Sequence, residues 1–498
     1  MIHSALFLFI DKGYKHSFDL AYADSLFLRI TYYALHITHY ALLIMPPLKI
    51  GPRLELFVDD YLIEKQRRVL QRLNHPTPRD IALEFDKPWE GNTSCYYRVF
   101  KDGDIYRLYY RGGSYDRKTK KAGDQFVCYA ESKDGVKWER PALDIHPHGR
   151  HKKTNILHSG AGAHNFSPFK DSNPRCRKDA KYKAIGSHGK GLVAFKSKDG
   201  LHWSLMQDEP VITDGAFDSQ NLAFWDEERG CYIDFHRDFR RIRGKGVRDI
   251  KTCTSPDFIN WTKPQWVDFG KTPPEHLYTN AITPYPRAPH ILMGFPKRFL
   301  PSRSVVDAAL NGISDGVFMT SRDGLHWNRW REAFIRPGPQ DERWYNRNNM
   351  TAWGMLILPS DVAGTPDEIS LYSSEGYYSP DVCRLRRYAL RQDGFVSMHA
   401  DARGGEVLTK VLKFEGKQLK INYSTSAAGS VRVELQSSNG KPIKGFSLDD
   451  CEPIYGDAIG QKVQWSKQKD LSSLAGKAIR LRFVLEDADL YSLQFVKR

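Results

Sequence analysis

Runs of about eight residues dominated by aromatic and β-branched side chains recur along the chain, each introduced by a polar turn. They read "DIYRLYYRGG" at 104–113, "AKYKAIGS" at 180–187, "GCYIDFHRD" at 230–238 and "PHILMGFPKR" at 289–298. Such runs, bounded by "KDGD", "RKD" or "DEERG", predict strands joined by tight turns. After each comes the same short phrase: "SKDGVKW" at 132–138, "SKDGLHW" at 197–203, "SPDFINW" at 255–261 and "SRDGLHW" at 321–327. Asp-Gly supplies hairpin residues, Ser bonds the turn backbone, and Trp closes the hairpin by packing between neighbouring sheets. The four Trp fall at 138, 203, 261 and 327, spacings of 65, 58 and 66 residues, which is the period of a β-propeller blade with loop insertions.

A fifth unit lacks the phrase but keeps the strands, in "NNMTAWGMLIL" (348–358), "EISLYSSEGYY" (368–378) and "CRLRRYALRQDGFVSM" (383–398). The pattern therefore predicts an all-β protein, a five-bladed propeller over 50–400, with the orphan run at 53–65 as the strand that closes the ring. Beyond 402 the style changes to period-two alternation in "KQLKINYST", "SVRVELQSS", "KAIRLRFVLED" and "LYSLQFVKR". That predicts an antiparallel β-sandwich over 403–498. Residues 1–44 carry "ALFLFI" and "SLFLRITYYALHITHYALLIM", neither a clean signal peptide nor a membrane span. They read as an extension outside the fold, with Met45 as an alternative start and a cytoplasmic location if it is the true one.

Composition adds less. The net charge of +15 comes from basic residues spread along the chain, with no zinc-finger spacing and no Gly-rich phosphate loop, which argues against nucleic acid and leaves a sulfated or uronic-acid glycan as an anionic partner. The seven cysteines are odd in number and never form C-x-x-C, arguing against a disulfide framework or a structural zinc and for a reducing compartment. No cofactor, metal or membrane partner is expected.

In a propeller the segments leading into the innermost strands converge at one mouth of the channel. Here they bring Glu90 and Asn92, His164 and Asn165, Asp218 and Asn221, Glu275, His276 and Asn280, and Arg347, Asn348 and Asn349. Arg98, Arg111 and Arg237 stand in the adjacent strand runs. Carboxylates, amides, His and Arg around one funnel suit sugar hydroxyls, with Arg favoured for a carboxylate or sulfate.

The five units, the "SxDGxxW" strand endings and the trailing sandwich resemble the five-bladed furanosidase-type glycoside hydrolases of families 32, 43, 62, 68 and 117. The resemblance implies hydrolysis at glycan ends by carboxylates, one from an early blade as base or nucleophile, an orienting Asp, and a Glu as acid. By blade position these are Glu90, Asp218 and Glu275, with the roles among them open and Asp59 and Asp60 of "FVDD" a further possibility. The phrases "NDPNG", "RDP", "EC" and "ADP" of families 32 and 43 are absent. His164, His276, Arg237, Arg347 and the amides of Asn92, Asn165, Asn221, Asn280 and Asn349 then bind substrate. Two other readings stand beside this one: a five-bladed glycoside phosphorylase of the mannoside type, and a non-catalytic glycan-binding propeller.

Overall fold

The structure is a computed structural model that describes residues 46–307, 310–467 and 470–497. The 1–44 extension lies outside the described residues. Five four-stranded antiparallel sheets surround a central axis. From inside outward, blade 1 is Cys95–Asp102, Ile105–Gly112, Phe126–Ser132 and Ile156–Ser159, and blade 2 is Ser167–Lys170, Tyr182–His188, Gly191–Ser197 and Ser204–Leu205. Blade 3 is Leu222–Asp226, Cys231–Ile242, Lys245–Ser255 and Gln265–Trp266. Blade 4 is Thr283–Tyr285, Ala288–Gly294, Met319–Ser321 and Trp327–Arg329, with an extra hairpin, Lys297–Leu300 and Ile313–Gly316.

Blade 5 comprises Leu356–Leu358, Glu368–Glu375 and Arg384–Arg391, and its outer strand is Thr77–Glu84. The closing strand is thus not 53–65. Leu54–Leu56 and Ile63–Arg67 pair instead with Ile479–Val496 and Gly405–Thr409 of the terminal sheet. "TPRDIALE" hides its role because Pro78 and Asp80 suit only an edge strand, where the ladder needs no donor on the solvent side.

The sandwich is not confined to 403–498 either. Its ten-stranded sheet also takes Leu48–Gly51, Leu70–Leu73 and Val396–Ala400. The four expected C-terminal strands are two long ones, Gln418–Ser437 and Ile479–Val496, bent where the register slips between Thr425 and Ser430. This unit packs on blades 4 and 5 through Leu54, Leu56, Val58, Phe318, Phe334 and Phe395.

The repeated phrase is a structural clasp. Ser132 Oγ accepts from Gly135 N–H at 2.8 Å, and Asp134 Oδ1 accepts from Val136 and Lys137 N–H at 2.8 Å each. The same set recurs at Ser197, Ser255 and Ser321. The fourth position is left-handed, which is why Gly stands there three times. A Cβ at Gly135 or Gly324 would meet Leu358 or Ile233 of the preceding blade at 2.8 or 2.9 Å. Phe258 takes that position at φ 71° and uses its ring instead, against Phe169 of blade 2 at 5.6 Å. Trp138, Trp203 and Trp327 stand edge-on to Tyr372, Tyr109 and Phe235, each on the blade before. They are inter-blade core.

Candidate active site at the channel mouth

The channel is plugged from within. Arg98, on the inner strand of blade 1, donates to Ser167 Oγ and, at 2.7 Å, to Asn221 O, and lies 5.5 Å from the Trp353 ring. Trp353 in turn donates to Ile282 O at 2.8 Å. These residues make a floor that touches all five blades, and Arg98 has no carboxylate beside it among the described residues, so burial holds its pKa well below the arginine range.

Above the floor is a cluster of cations and phenol rings. Arg111 donates to Thr93 O (2.8 Å) and Tyr377 OH (2.7 Å) and lies 5.1 Å from the Tyr96 ring. Tyr278, in the loop leading into blade 4, is the hub, with Lys297 at 4.2 Å, Arg347 at 5.1 Å, Arg237 at 5.3 Å and Arg248 at 5.4 Å from its ring centre. Lys297 is wholly buried and donates to Arg347 O at 3.2 Å. Burial first, then Arg347, Arg248 and Arg111, push its pKa well below the usual lysine value. The Nε–H groups of Arg111, Arg237, Arg248 and Arg347 have no partner among the described residues.

Asp218 is the carboxylate that touches this cluster. It is 73% exposed and takes a hydrogen bond from Arg237 on one oxygen. Its main-chain carbonyl faces Tyr96 OH and His164 Nε2, both at 3.3 Å. His164 Nδ1 lies 3.2 Å from Arg111, and burial, followed by Arg111, Arg237 and Arg347, pushes the imidazole down to about 3. It is a neutral ring at neutral pH.

The backbone is strained where it presents these groups. Tyr96, Arg347, Asn349 and Tyr378 all have φ between 56° and 64°. For Tyr and Arg this costs about 1–3 kcal/mol each and persists only where surrounding contacts over-determine it. At Tyr96 the cause is a bulge between Cys95 and Arg98, which turns the side chain into the mouth.

Of the residues expected at the site, His164, Asp218, Arg237, Arg347, Arg98 and Arg111 come together. His276 sits at the rim, its Nδ1 3.2 Å from Arg248 N. The three carboxylates do not meet. Glu90 has a fully buried side chain whose oxygens accept from Tyr110 OH, Lys87 N–H and Arg140; it is an internal ion pair, out of reach of any substrate. Glu275 has one oxygen on Arg298 at 3.2 Å and the other on Arg329, which is itself anchored on Pro273 O. Asp59 pairs with Arg322 at 2.7 Å, on the sandwich side.

The amides act as loop staples. Asn92 bonds Tyr115 N (2.8 Å), Tyr115 O and Ser379 O, and Asn165 bonds Phe217 O, Ser219 O and Ser187 N. Asn221 donates to Phe217 O and Ser219 O, Asn280 to Phe235 O, and Asn349 joins Arg343 and Ser314. Buried backbone in the leading loops needs such partners, which explains an Asn in each.

No sequence motif marks Lys297, Arg248, Tyr96, Tyr278, Tyr377 or Tyr378. The only written signal is density, "GYY" and "PKR" next to strand ends. All seven cysteines are unpaired, and Cys95 lies inside the cluster, its pKa raised by burial.

No protein-family model and no curated protein matches the sequence. Among solved structures, the chain is similar to a family 43 arabinoxylan arabinofuranohydrolase from Bacillus subtilis in complex with cellotetraose, at 12% identity and TM-score 0.41, covering 85% of this chain and 99% of that one. It is also similar to an exo-β-1,3-galactanase from Phanerochaete chrysosporium (11%, TM-score 0.37, 83% and 100% covered) and to an N-acetylgalactosamine deacetylase from F. plautii in complex with blood group B trisaccharide (14%, 0.38, 64% and 94%). Functional assignment rests on the side chains at the mouth.

Proposed function

We propose that the protein is a glycoside hydrolase acting at the end of an anionic glycan, with the channel mouth as its active site. One observation supports this above the others: Arg111, Arg237, Arg248, Lys297 and Arg347 gather around tyrosine faces with Asp218 as the carboxylate among them. Guanidinium groups match a uronate carboxylate or a sulfate in bidentate geometry. The buried rings of Tyr96 and Tyr378 hold Arg111 and Arg347 in place at 5.1 and 5.7 Å. Asp218, with one oxygen held by Arg237, is then the carboxylate that works on the bond, and neutral His164 orients the loop that carries it.

That Asp218 is the one carboxylate at the mouth among the described residues also favours a second reading. Glycosidic hydrolysis ordinarily uses two carboxylates, whereas phosphorolysis needs one proton donor if inorganic phosphate is the nucleophile and the cations hold it. A panel of uronate- and sulfate-bearing oligosaccharides, incubated with and without phosphate, separates the two. Phosphate-independent release of a reducing sugar is expected. Release of a sugar phosphate only when phosphate is present would transfer the assignment to the phosphorylase, turnover confined to neutral glycosides would refute the anionic substrate, and binding without turnover would make the propeller a lectin-like module.

A further inference from the structure

The second and third strands of blade 3 run past the blade as a two-stranded ribbon, Arg237–Ile242 against Lys245–Ile250, joined by the two-residue turn Arg243-Gly244. Both turn residues are left-handed, φ 49° and 78°, as a tight hairpin of matching twist requires. Its sequence, "RDFRRIRGKGVRDIK" at 237–251, holds seven cations and two acids.

Its two faces differ. On one, Asp238 pairs with Lys251 and Arg240 with Asp249, both at 2.7 Å, and Arg240 covers the Trp266 ring at 4.7 Å. That face is neutralised and packed on its own blade. The opposite face carries Arg237, Phe239, Arg241 and Arg248, with Gly246 across from Arg241 and no acid of the ribbon's own; Asp218 meets it only at Arg237, at the mouth end. Phe239 is 45% exposed, and Arg237 and Arg248 lie 5.0 and 5.3 Å from its ring. Arg241, Arg243 and Lys245 are exposed. The face begins at Arg237 and Arg248, which belong to the mouth, and runs about 13 Å outward to Arg241 at ~3.3 Å per residue.

We infer that this ribbon is a docking track for the anionic glycan chain beyond the unit held in the mouth, so that the protein prefers long charged chains to their short fragments. The inference rests on the anionic-glycan reading. Charge complementarity identifies the occupant: an exposed aromatic between guanidinium groups suits a flat sugar face flanked by sulfate or carboxylate, and continuity with the mouth aligns that chain with the bond to be cut. A polyanion bound this way releases counterions, so its affinity falls with salt in proportion to the cations engaged.

The test is the variant Arg241→Ser/Arg243→Gly, whose Gly suits the left-handed turn position. It is assayed on polygalacturonate and heparin and on the disaccharides derived from each. Expected is a loss of about tenfold or more in kcat/KM on the polymer, unchanged kcat/KM on the disaccharide, and a salt dependence shallower by roughly one to two charges. Equal loss on both lengths, or none on either, overturns the track. If neither polymer is turned over by the unaltered protein, its binding to immobilised heparin decides separately: weakened retention of the variant keeps the track while the hydrolase reading fails. Retention of duplex DNA as strong as that of heparin at matched salt would make the ribbon a nucleic-acid surface and overturn it.

Discussion

Lys297→Met should make the protein more stable and less able to hold an anion. Lys297 is wholly buried, with one hydrogen bond to a carbonyl and three guanidinium groups nearby, and it has no carboxylate partner among the described residues. Met keeps the length and the contact with Tyr278 but has no amine to protonate. Replacing a buried ion pair with apolar side chains of like volume is often neutral or stabilising, by about 1–4 kcal/mol; for a buried amine among like charges with no carboxylate to pair with, about 2 kcal/mol of stabilisation is expected. At ~2 °C per kcal/mol for a large domain, Tm should rise by about 4 °C at neutral pH. The pH dependence follows from the lowered pKa. Between that value and the unfolded value near 10.4, the unfolded chain binds a proton the folded protein does not, so wild-type stability rises with pH across the window and falls as pH drops through it. The variant lacks this slope, and the gap in Tm should close as pH approaches ~10. Sulfate should raise wild-type Tm through binding to the folded state and raise that of the variant less. Thermal melts over pH, with and without sulfate, measure all three. A variant that melts several degrees lower at neutral pH, with the wild-type slope, would show instead that Lys297 is held for its hydrogen bond to Arg347 O.

Asp218→Asn should lower kcat by ~10²-fold or more with substrate binding retained, measured by turnover and calorimetry, while Glu275→Gln should leave kcat within a few-fold. Glu90→Gln should keep kcat/KM yet cost about 3 kcal/mol in chemical denaturation, because Arg140 loses a buried partner. Phe258→Gly relieves the left-handed backbone but empties the inter-blade contact with Phe169; a net loss of about 2–3 kcal/mol is expected, and a stabilised variant would mean that the strain outweighs the packing.

The blade repeat was legible because each clasp is local: Ser, Asp and the left-handed residue bond one another within four positions, and Trp at a fixed offset meets the previous blade. The closing strand was not, since Thr77–Glu84 is defined by a partner near residue 390 and, as an edge, tolerates Pro78. At the mouth, position was easier to read than role. The leading loops do converge, but whether an Asn there faces a sugar or staples a carbonyl depends on backbone it does not adjoin in sequence. Glu90 failed for a similar reason, because its partner Arg140 lies fifty residues on. The tyrosines and Lys297 carried no motif, and only the bulge at Tyr96 and the blade 4 hairpin aim them inward.

Ring closure by the N-terminal strand sets an order of assembly. Thr77–Glu84 leaves the ribosome early, yet its neighbour Arg384–Arg391 follows some 300 residues later, about 15–60 s at ordinary synthesis rates. Leu48–Gly51, Leu54–Leu56 and Ile63–Arg67 wait longer still, for Gly405–Val496. Blades 1 to 4 can form as they emerge, while the first forty described residues remain an unpaired, strand-prone tether. Cutting the chain near 402 should therefore yield no independent propeller: it strands Phe57 and Leu62 without the sandwich core that covers them and leaves Leu54–Leu56 and Ile63–Arg67 as bare edges for neighbouring chains. Holdase chaperones and slow synthesis should help this protein more than lowered temperature after release.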